Sequence, residues 1–192
     1  MSEKDRQKWN KKYHQKPQLL EERSPSSLVV DYYTASSGTE ALDVACGGGR
    51  HTLFLAKKGF HVDAVDISDV ALDALTQKST LLPITPIKAD LETFMPVNKK
   101  YDLVIMTNYL DRVLISQIST TLKKGALFIV ETYMEDSRNE KKDSNPDFLL
   151  KKEELKHLFP KTSFDILFYD EYWNESYEIF NMRKQGIVVK KI

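Results

Sequence analysis

The chain concentrates its glycines at one place where backbone amides could bind a ligand. Gly47, Gly48 and Gly49 are consecutive, and they are three of the seven glycines in the chain. They follow a short apolar run and precede a helical pattern. Glycine allows positive φ and close approach of the backbone to a ligand, and a following helix offers free N–H groups. The spacing predicts a ligand-binding turn, and the alternative is a tight turn without a ligand.

Two common phosphate-binding loops do not fit these glycines. A P-loop requires a Lys-Ser or Lys-Thr pair after its last glycine, and no such pair follows here. A dinucleotide-binding loop has the pattern Gly-x-Gly-x-x-Gly, and Thr52 occupies its third glycine position. What remains is an acidic residue, Asp43, four positions before the glycine pair Gly47 and Gly49.

Strands and helices alternate around this loop. We predict strands at 41–45, 60–65, 84–88, 101–107 and 126–132, with helices at 52–58, 70–78 and 111–122 between them. This order predicts a parallel sheet covered on both faces. The prolines Pro83 and Pro86 place the strand at 84–88 at an edge of the sheet.

The C-terminal part has a different pattern. A short helix at 153–159 precedes two strand-like stretches, 164–173 and 177–191, with little room between them. Two strands joined by a short turn must be antiparallel. The sequence therefore predicts an α/β fold, Rossmann-like and doubly wound, with a seven-stranded mixed sheet and an antiparallel C-terminal hairpin. We expect one domain over 1–192, since this length suits a single core.

Two segments outside this pattern are candidates for covering a site. Residues 1–36 are predicted to be helical, with Trp9 and Tyr13 on one helix face and Ser24-Pro25 opening a second helix. The polar segment 134–147 is longer than most connections, so it is either a lid or a solvated loop.

The run Leu42–Arg50 resembles motif I of the class I methyltransferases that depend on S-adenosylmethionine (SAM). It departs from the usual motif at Ala45, where that family mostly has glycine. The resemblance implies SAM as the cofactor. It also implies cofactor contacts from Asp43, Ala45, Gly47, Gly49, Arg50, Asp66, Ile67, Asp90, Leu91, Asn108, Trp9 and Tyr13.

Several of these residues have a specific role under the resemblance. Asp66 would accept hydrogen bonds from both ribose hydroxyls, although it could instead be a charge near a helix start. Asp90 and Leu91 would bind adenine, although Asp90 could be an ordinary turn residue. Trp9 and Tyr13 would fold over the cofactor or simply pack on the sheet.

The stretch 42–66 is similar to the bacterial tellurite-resistance and thiopurine type of methyltransferase. That resemblance implies a small single-domain enzyme with a small-molecule acceptor. Methyl transfer needs alignment of the nucleophile and exclusion of water more than it needs a base. Acceptor-side candidates follow the fourth and fifth strands or lie in the polar segments: Tyr109, Arg112, Thr132, Tyr133, Arg138 and His14.

Composition excludes several other classes. The net charge is zero, with 28 basic and 28 acidic residues, which weighs against a nucleic-acid partner. No apolar run has the length of a membrane span and the N-terminus has no signal core. The single Cys46 excludes an internal disulfide, and four scattered histidines do not predict a metal site. We expect a cytoplasmic protein, either a monomer or a weak homodimer.

Three alternatives remain. An RNA or protein methyltransferase of the same fold is supported by basic residues near both ends: Lys4, Arg6, Lys8, Lys11, Lys12, Lys16, Lys184, Lys190 and Lys191. An NAD-dependent oxidoreductase is disfavoured by Thr52 in the third glycine position. A non-catalytic SAM-binding protein stays open because the sequence identifies no acceptor site.

Overall fold

A computed structural model describes residues 3–174 and 180–192. The helices are α1 (Glu3–Gln15), α2 (Ser27–Tyr32), α3 (Arg50–Lys57), α4 (Asp69–Lys78), α5 (Arg112–Thr121) and α6 (Glu154–Leu158). The strands are β1 (Glu40–Val44), β2 (His61–Asp66), β3 (Ile84–Lys88), β4 (Leu103–Thr107), β5 (Leu127–Tyr133), β6 (Phe164–Trp173) and β7 (Arg183–Lys191). Short 3₁₀ turns lie at Pro17–Leu20, Tyr33–Ala35 and Pro146–Phe148.

The seven strands form one mixed sheet in the order β3-β2-β1-β4-β5-β7-β6. The first five strands run parallel to one another, and β7 runs antiparallel to both β5 and β6. The predicted mixed sheet with an antiparallel C-terminal hairpin is therefore confirmed. The edge position predicted for β3 from its prolines is confirmed as well.

The seventh strand begins later than the predicted 177. Its first predicted residues, 177–179, lie outside the described part of the chain, and β7 starts at Arg183. Asn174 explains why 180–182 do not pair as a strand. Its side-chain amide donates to the carbonyl of Phe180 at 2.8 Å, and its side-chain oxygen accepts from the amide of Met182 at 3.0 Å. These bonds fold the end of the hairpin connection back on itself.

The two faces of the sheet bury different sets of side chains, as the period of two in a strand requires. On β4, Val104 and Met106 belong to the core that includes α5 and α6. Leu103 and Ile105, between them, belong to the core that includes α2 and α3. Because all four are essentially buried, the central strands are apolar on both faces, as is typical of a parallel sheet covered by helices.

Two helices begin at serine N-caps, and one of these two caps differs from the prediction. Ser68 caps α4 as predicted, accepting from the amide of Ala71 at 3.2 Å. The predicted cap of α2 at Ser24 is wrong, because Ser26 accepts from the amide of Val29 and the helix begins at residue 27. The backbone N–H of Ser26 is held by the ring Nε2 of His51 at 3.2 Å, which fixes the chain at that residue.

No helix among the residues described combines the length and apolar character that crossing a bilayer requires.

Candidate functional site

The carboxyl ends of five parallel strands meet at one edge of the sheet. In the order of the strands, this edge presents Asp90 after β3, Asp66 at the end of β2, the loop 45–49 after β1 and Asn108 after β4. The connections from β1 and β4 leave on opposite sides, so the loop lies at the topological switch point. Open α/β sheets bind ligands in the crevice at this point.

The glycine loop has a backbone that side chains disfavour. The φ angles of Gly47 and Gly49 are +53° and +83°. Ala45 also has a positive φ, +56°, which explains why glycine suits this position in the resembling family. An L-residue in the left-handed region costs about 1–2 kcal/mol. The loop therefore carries some strain at Ala45 and avoids it at both glycines.

Gly49 is also packed against a neighbouring helix, and this leads to a prediction. A Cβ added there would lie 2.3 Å from Cδ1 of Leu75, which is fully buried in α4. We expect Gly49→Ala to lower the free energy of unfolding by about 2–4 kcal/mol, from left-handed strain plus overpacking. Gly59→Ala is the matched control, because its φ is +91° but nothing lies within 4 Å of its added Cβ. Equal losses in urea unfolding of the two variants would contradict the packing clash.

Asp66 joins the second strand to the glycine loop. Its Oδ2 accepts from the amide of Gly47 at 2.8 Å, and its Oδ1 accepts from the amide of Ser68 at 2.9 Å. The residue is 8% exposed. Burial raises the pKa of Asp66 above its usual range, while the hydrogen bonds from these backbone amides oppose that rise. A carboxylate held by backbone amides in this way has a fixed orientation.

Asp43, which is predicted to contact the cofactor, forms a hydrogen bond within the protein. Its carboxylate is buried and its Oδ2 accepts from the hydroxyl of Thr52 at 2.6 Å. Burial raises the pKa of Asp43 to about 6, and hydrogen bonds from the side chain and backbone of Thr52 oppose this. Gly49, the N-cap residue of α3, has no side chain that could accept a hydrogen bond from the first turn of the helix. The carboxylate of Asp43, on β1, accepts from the first turn instead. This hydrogen bond fixes the start of α3, and contact of Asp43 with the cofactor stays a prediction.

The N-terminal segment covers the glycine loop. A Cβ on Gly47 would lie 3.1 Å from the hydroxyl of Tyr13, and one on Gly48 would lie 3.1 Å from Cα of Leu20. The rings of Trp9 and Tyr13 have centroids 5.8 Å apart. Burial, and next the charge of Asp66, raise the pKa of Tyr13 well above its usual range, so its hydroxyl stays protonated. The missing side chains at 47 and 48 thus allow α1 and the turn at Pro17–Leu20 to pack directly against the loop.

Other residues predicted to contact the cofactor lie along the same edge of the sheet, and they differ in their exposure to solvent. Asp90 Oδ1 accepts from the amide of Glu92 at 3.0 Å, which closes a turn after β3. Leu91 and Ile67 are buried, Leu91 as part of the main core. Asn108 is exposed and has a φ of +55°, a conformation that asparagine tolerates better than most residues.

Two of the predicted acceptor-side residues, Tyr109 and Arg112, have different surroundings. Tyr109 is half-buried, and burial followed by the charge of Asp111 raises its pKa well above the usual value. Arg112 has partners within the protein, and its role toward an acceptor stays a prediction. Its guanidinium donates to both carboxylate oxygens of Glu154 and to two backbone carbonyls, so it links α5 to α6 and the turn before it.

A row of buried polar side chains was not predicted as part of the site. Thr107 pairs with Glu131 across β4 and β5, and its hydroxyl lies 3.4 Å from Nδ1 of His51. Lys184 Nζ lies 3.1 Å from Oε1 of Glu131, with side chains 0% and 2% exposed. The ammonium also lies 5.0 Å from the ring centroid of Tyr133. We call Thr107, His51, Glu131 and Lys184 the polar row.

The polar row changes two earlier interpretations. Lys184 was grouped with a basic tail, but it is buried and therefore does not support an RNA-binding surface. His51 was regarded as one of several scattered histidines, and it instead contacts Thr107. Burial, followed by the nearby charges of Arg50 and Lys184, lowers its pKa well below the usual value, so the ring is neutral. The available sequence signal was Glu131, an acidic residue within an otherwise apolar strand.

The segment after β5 is tied to the start of β7. Asn139 Nδ2 donates to the carbonyl of Met134 at 2.8 Å, and its Oδ1 accepts from the amide of Arg183 at 2.7 Å. Arg138 forms an ion pair with Asp136 on the same segment. These contacts hold the first part of the segment 134–147 against the sheet. Over the described ranges, no group of three histidine, cysteine or acidic residues could hold a metal ion.

Comparison with known proteins identifies the type of domain. Residues 41–125 match the family described as "Methyltransferase domain". This segment of the chain is therefore similar to a methyltransferase domain. The matched residues include the glycine loop, Asp66, the turn after β3 and all of α5.

Related proteins carry the methyltransferase domain within longer chains. A ribosomal protein L11 methyltransferase of Ruminiclostridium cellulolyticum is 32% identical over 122 residues, which is 59% of this chain and 38% of that protein. This chain spans less than half the length of the curated relatives it matches.

Two solved structures have the same fold. TehB from Haemophilus influenzae superposes with a TM-score of 0.76 at 21% identity, covering 88% of this chain and 63% of TehB. Magnesium protoporphyrin IX methyltransferase from Synechocystis, solved with bound S-adenosylhomocysteine (SAH), gives a TM-score of 0.71 at 13% identity, covering 97% of this chain and 98% of that chain. This chain therefore shares its fold with TehB, and the Rossmann-like fold expected from the sequence is confirmed.

Proposed function

We propose that this chain transfers a methyl group from SAM to a small-molecule acceptor. The observation that carries the proposal is the contact between the glycine-loop amide of Gly47 and the carboxylate of Asp66, at 2.8 Å, at the switch point of the sheet. In the proposal Asp66 binds the ribose hydroxyls and Asp90 with Leu91 binds adenine. The other proposed contacts come from the loop and its surroundings: Ala45, Gly47, Gly49, Arg50, Ile67, Asn108, Trp9 and Tyr13.

The acceptor side of the proposal rests on the segment that follows β5. A cavity of about 430 Å³ is lined there by polar residues of that segment, including Asn139, Lys141 and Ser144. Volumes of roughly 300–1,000 Å³ are typical of small-ligand pockets. Helix α1 and the turn at Pro17–Leu20 cover the glycine loop, and a covered site favours a small acceptor over a macromolecule.

The proposed reaction is an in-line displacement at the methyl carbon, in which the sulfonium becomes a neutral thioether. The residues of the site have to align the two reactants and exclude water. Tyr109 stays protonated because its pKa is raised, so it can donate a hydrogen bond but cannot act as a base near neutral pH. Tyr133, at the end of β5, remains the proposed acceptor-side hydroxyl. A thiol or oxyanion acceptor needs no base, whereas an amine or hydroxyl acceptor does.

Calorimetric titration tests the cofactor half of this proposal. We expect SAM and SAH to bind with micromolar dissociation constants and NAD to give no heat of binding. Binding of NAD alone would contradict the proposal, because it would assign the glycine loop to a dinucleotide. Methyl transfer from radiolabelled SAM to a panel of thiols, oxyanions, amines and hydroxyl compounds then tests the acceptor half.

A protein acceptor is the second candidate, because the L11 methyltransferase named above is 32% identical over 122 residues. Purified ribosomal protein L11 and bulk RNA therefore belong in the same acceptor panel. Label in L11 or RNA, and in no small molecule, would replace the small-molecule proposal. SAM binding without transfer to any acceptor would favour a non-catalytic SAM-binding protein.

We also propose a cytoplasmic location and a monomer or weak homodimer. The balanced charge of 28 basic and 28 acidic residues supports a small-molecule partner over a nucleic acid. Light scattering over a range of protein concentrations tests the oligomeric part of this proposal.

A further inference from the structure

Helix α1 lies beside α4. None of the residues Glu3–Gln15 is fully buried. Polar side chains of α1 bind the start of α4 through hydrogen bonds and an ion pair. Arg6 forms an ion pair with Asp69, whose other oxygen binds Nζ of Lys88 at 2.6 Å. A helix that buries little apolar surface gains little free energy on docking, so a ligand with a modest preference for the docked state can shift its position.

Ser68 connects α1 to the ribose side of the site. Its hydroxyl donates to Oδ1 of Asn10 at 2.6 Å while accepting from the amide of Ala71 as the cap of α4. Its backbone amide donates to Oδ1 of Asp66 at 2.9 Å. Through Ser68, the position of Asn10 in α1 and the orientation of the Asp66 carboxylate depend on the same residue.

The second carboxylate oxygen of Asp66 is also connected to α1, through the glycine loop. Oδ2 of Asp66 accepts from the amide of Gly47, and a Cβ on Gly47 would lie 3.1 Å from the hydroxyl of Tyr13. Asn10 and Tyr13 are three residues apart and therefore lie on one face of α1. The same helix face thus contacts both partners of the Asp66 carboxylate, which are the cap of α4 and the glycine loop.

We propose that docking of α1 and binding of the cofactor are coupled through Ser68, with Asn10 as a positioning residue for Asp66. This inference rests on the proposed function, because it takes Asp66 as the ribose ligand. When Asn10 is in place, the hydroxyl of Ser68 is committed to Asn10 and its amide to Asp66, so the carboxylate is held for the ribose diol. Thermodynamic linkage requires that the cofactor favours docking by the same factor by which docking favours the cofactor.

Substitution of Asn10 gives the first test. We expect Asn10→Ala to weaken SAH binding roughly 2- to 10-fold, the effect of about one hydrogen bond, without lowering the thermal midpoint. Gln7→Ala is the matched control, because the Gln7 amide contacts only Glu3 of its own helix in the hydrogen bond seen here. A lower thermal midpoint with unchanged SAH affinity would make Asn10 merely structural and overturn the inference.

A double-mutant cycle tests the route through Ser68. We expect Ser68→Ala to weaken SAH binding, and the pair Asn10→Ala with Ser68→Ala to bind no more weakly than Ser68→Ala alone. Losses that simply add would show that Asn10 acts independently of Ser68, and the route would be wrong.

Hydrogen exchange of the wild-type protein separates this inference from the proposed function. We expect saturating SAH to slow exchange of the α1 amides at 7–15, and we expect less slowing in Asn10→Ala. If SAH binds but exchange in α1 is unchanged, the coupling is refuted and the proposed function stands. If SAH does not bind the wild type at all, the proposed function fails and this inference fails with it.

Discussion

Replacing Asp66 with alanine should reduce the affinity for SAH by about 100-fold. Two charge-assisted hydrogen bonds to the ribose would be lost, each contributing about 1.5–3 kcal/mol, part of which reorganisation of the loop would recover. Calorimetry with SAH and with its 2′-deoxy analogue measures this effect. The wild type should discriminate between the two ligands, and Asp66→Ala should bind both equally weakly.

The control for this variant lies on the same strand. Asp63 of β2 binds Nζ of Lys100 at 2.6 Å and the hydroxyl of Tyr101 at 2.7 Å, away from the glycine loop. Asp63→Asn should change stability without changing SAH affinity. If Asp66→Ala still discriminates against the 2′-deoxy analogue, the ribose assignment is wrong. Because burial raises the pKa of Asp66, SAH affinity should fall as the pH is lowered towards that raised value.

Breaking the buried ion pair of the polar row should cause the largest loss of stability. Lys184 and Glu131 are 0% and 2% exposed, so removing one partner leaves an uncompensated charge in the core. We expect Lys184→Met or Glu131→Leu to lower the free energy of unfolding by about 3–5 kcal/mol. Urea unfolding with linear extrapolation measures this loss.

A double variant of the buried pair and a variant of an exposed ion pair serve as controls. Lys184→Met combined with Glu131→Leu should lose much less than the sum of two single losses, because two apolar residues can replace a buried pair at little cost. Glu22 and Lys57 form an exposed pair, with side chains 63% and 53% exposed, and Lys57→Met should change stability little. Simple addition of the single losses would show that the pair contributes no mutual stabilisation.

The sheet and the cofactor loop could be predicted because their signals are local. Three glycines between an apolar run and a helix define a strand–turn–helix, and Pro83 with Pro86 marks an edge. Asp66 could be placed because it ends a strand. Asp43 could be noticed but its role could not, since the role depends on Thr52, which reaches the carboxylate only after α3 folds back over β1.

The polar row could not be predicted because its contacts join distant parts of the chain. Glu131 and Lys184 are 53 positions apart, and the antiparallel register of β5 with β7 brings them together. The partner of Arg112 could not be predicted for the same reason, because α6, 42 positions further on, supplies the carboxylate of Glu154.

The outer strands of the sheet have a consequence for self-association. The two residues that flank β3 pair with β2. The carbonyl of Pro83 accepts from the amide of Val62, and the amide of Ala89 donates to the carbonyl of Asp66, so the odd-numbered residues from 83 to 89 pair with β2. The nitrogen of Pro86 therefore faces outward, where an added strand would need a donor. At the opposite edge, the pairing of β6 with β7 shifts register between Ile166 and Phe168, and such a bulge bends an edge away from a flat partner. Both margins of the sheet thus resist extension by a strand of another chain, and this protects a concentrated solution of the protein from edge-to-edge aggregation.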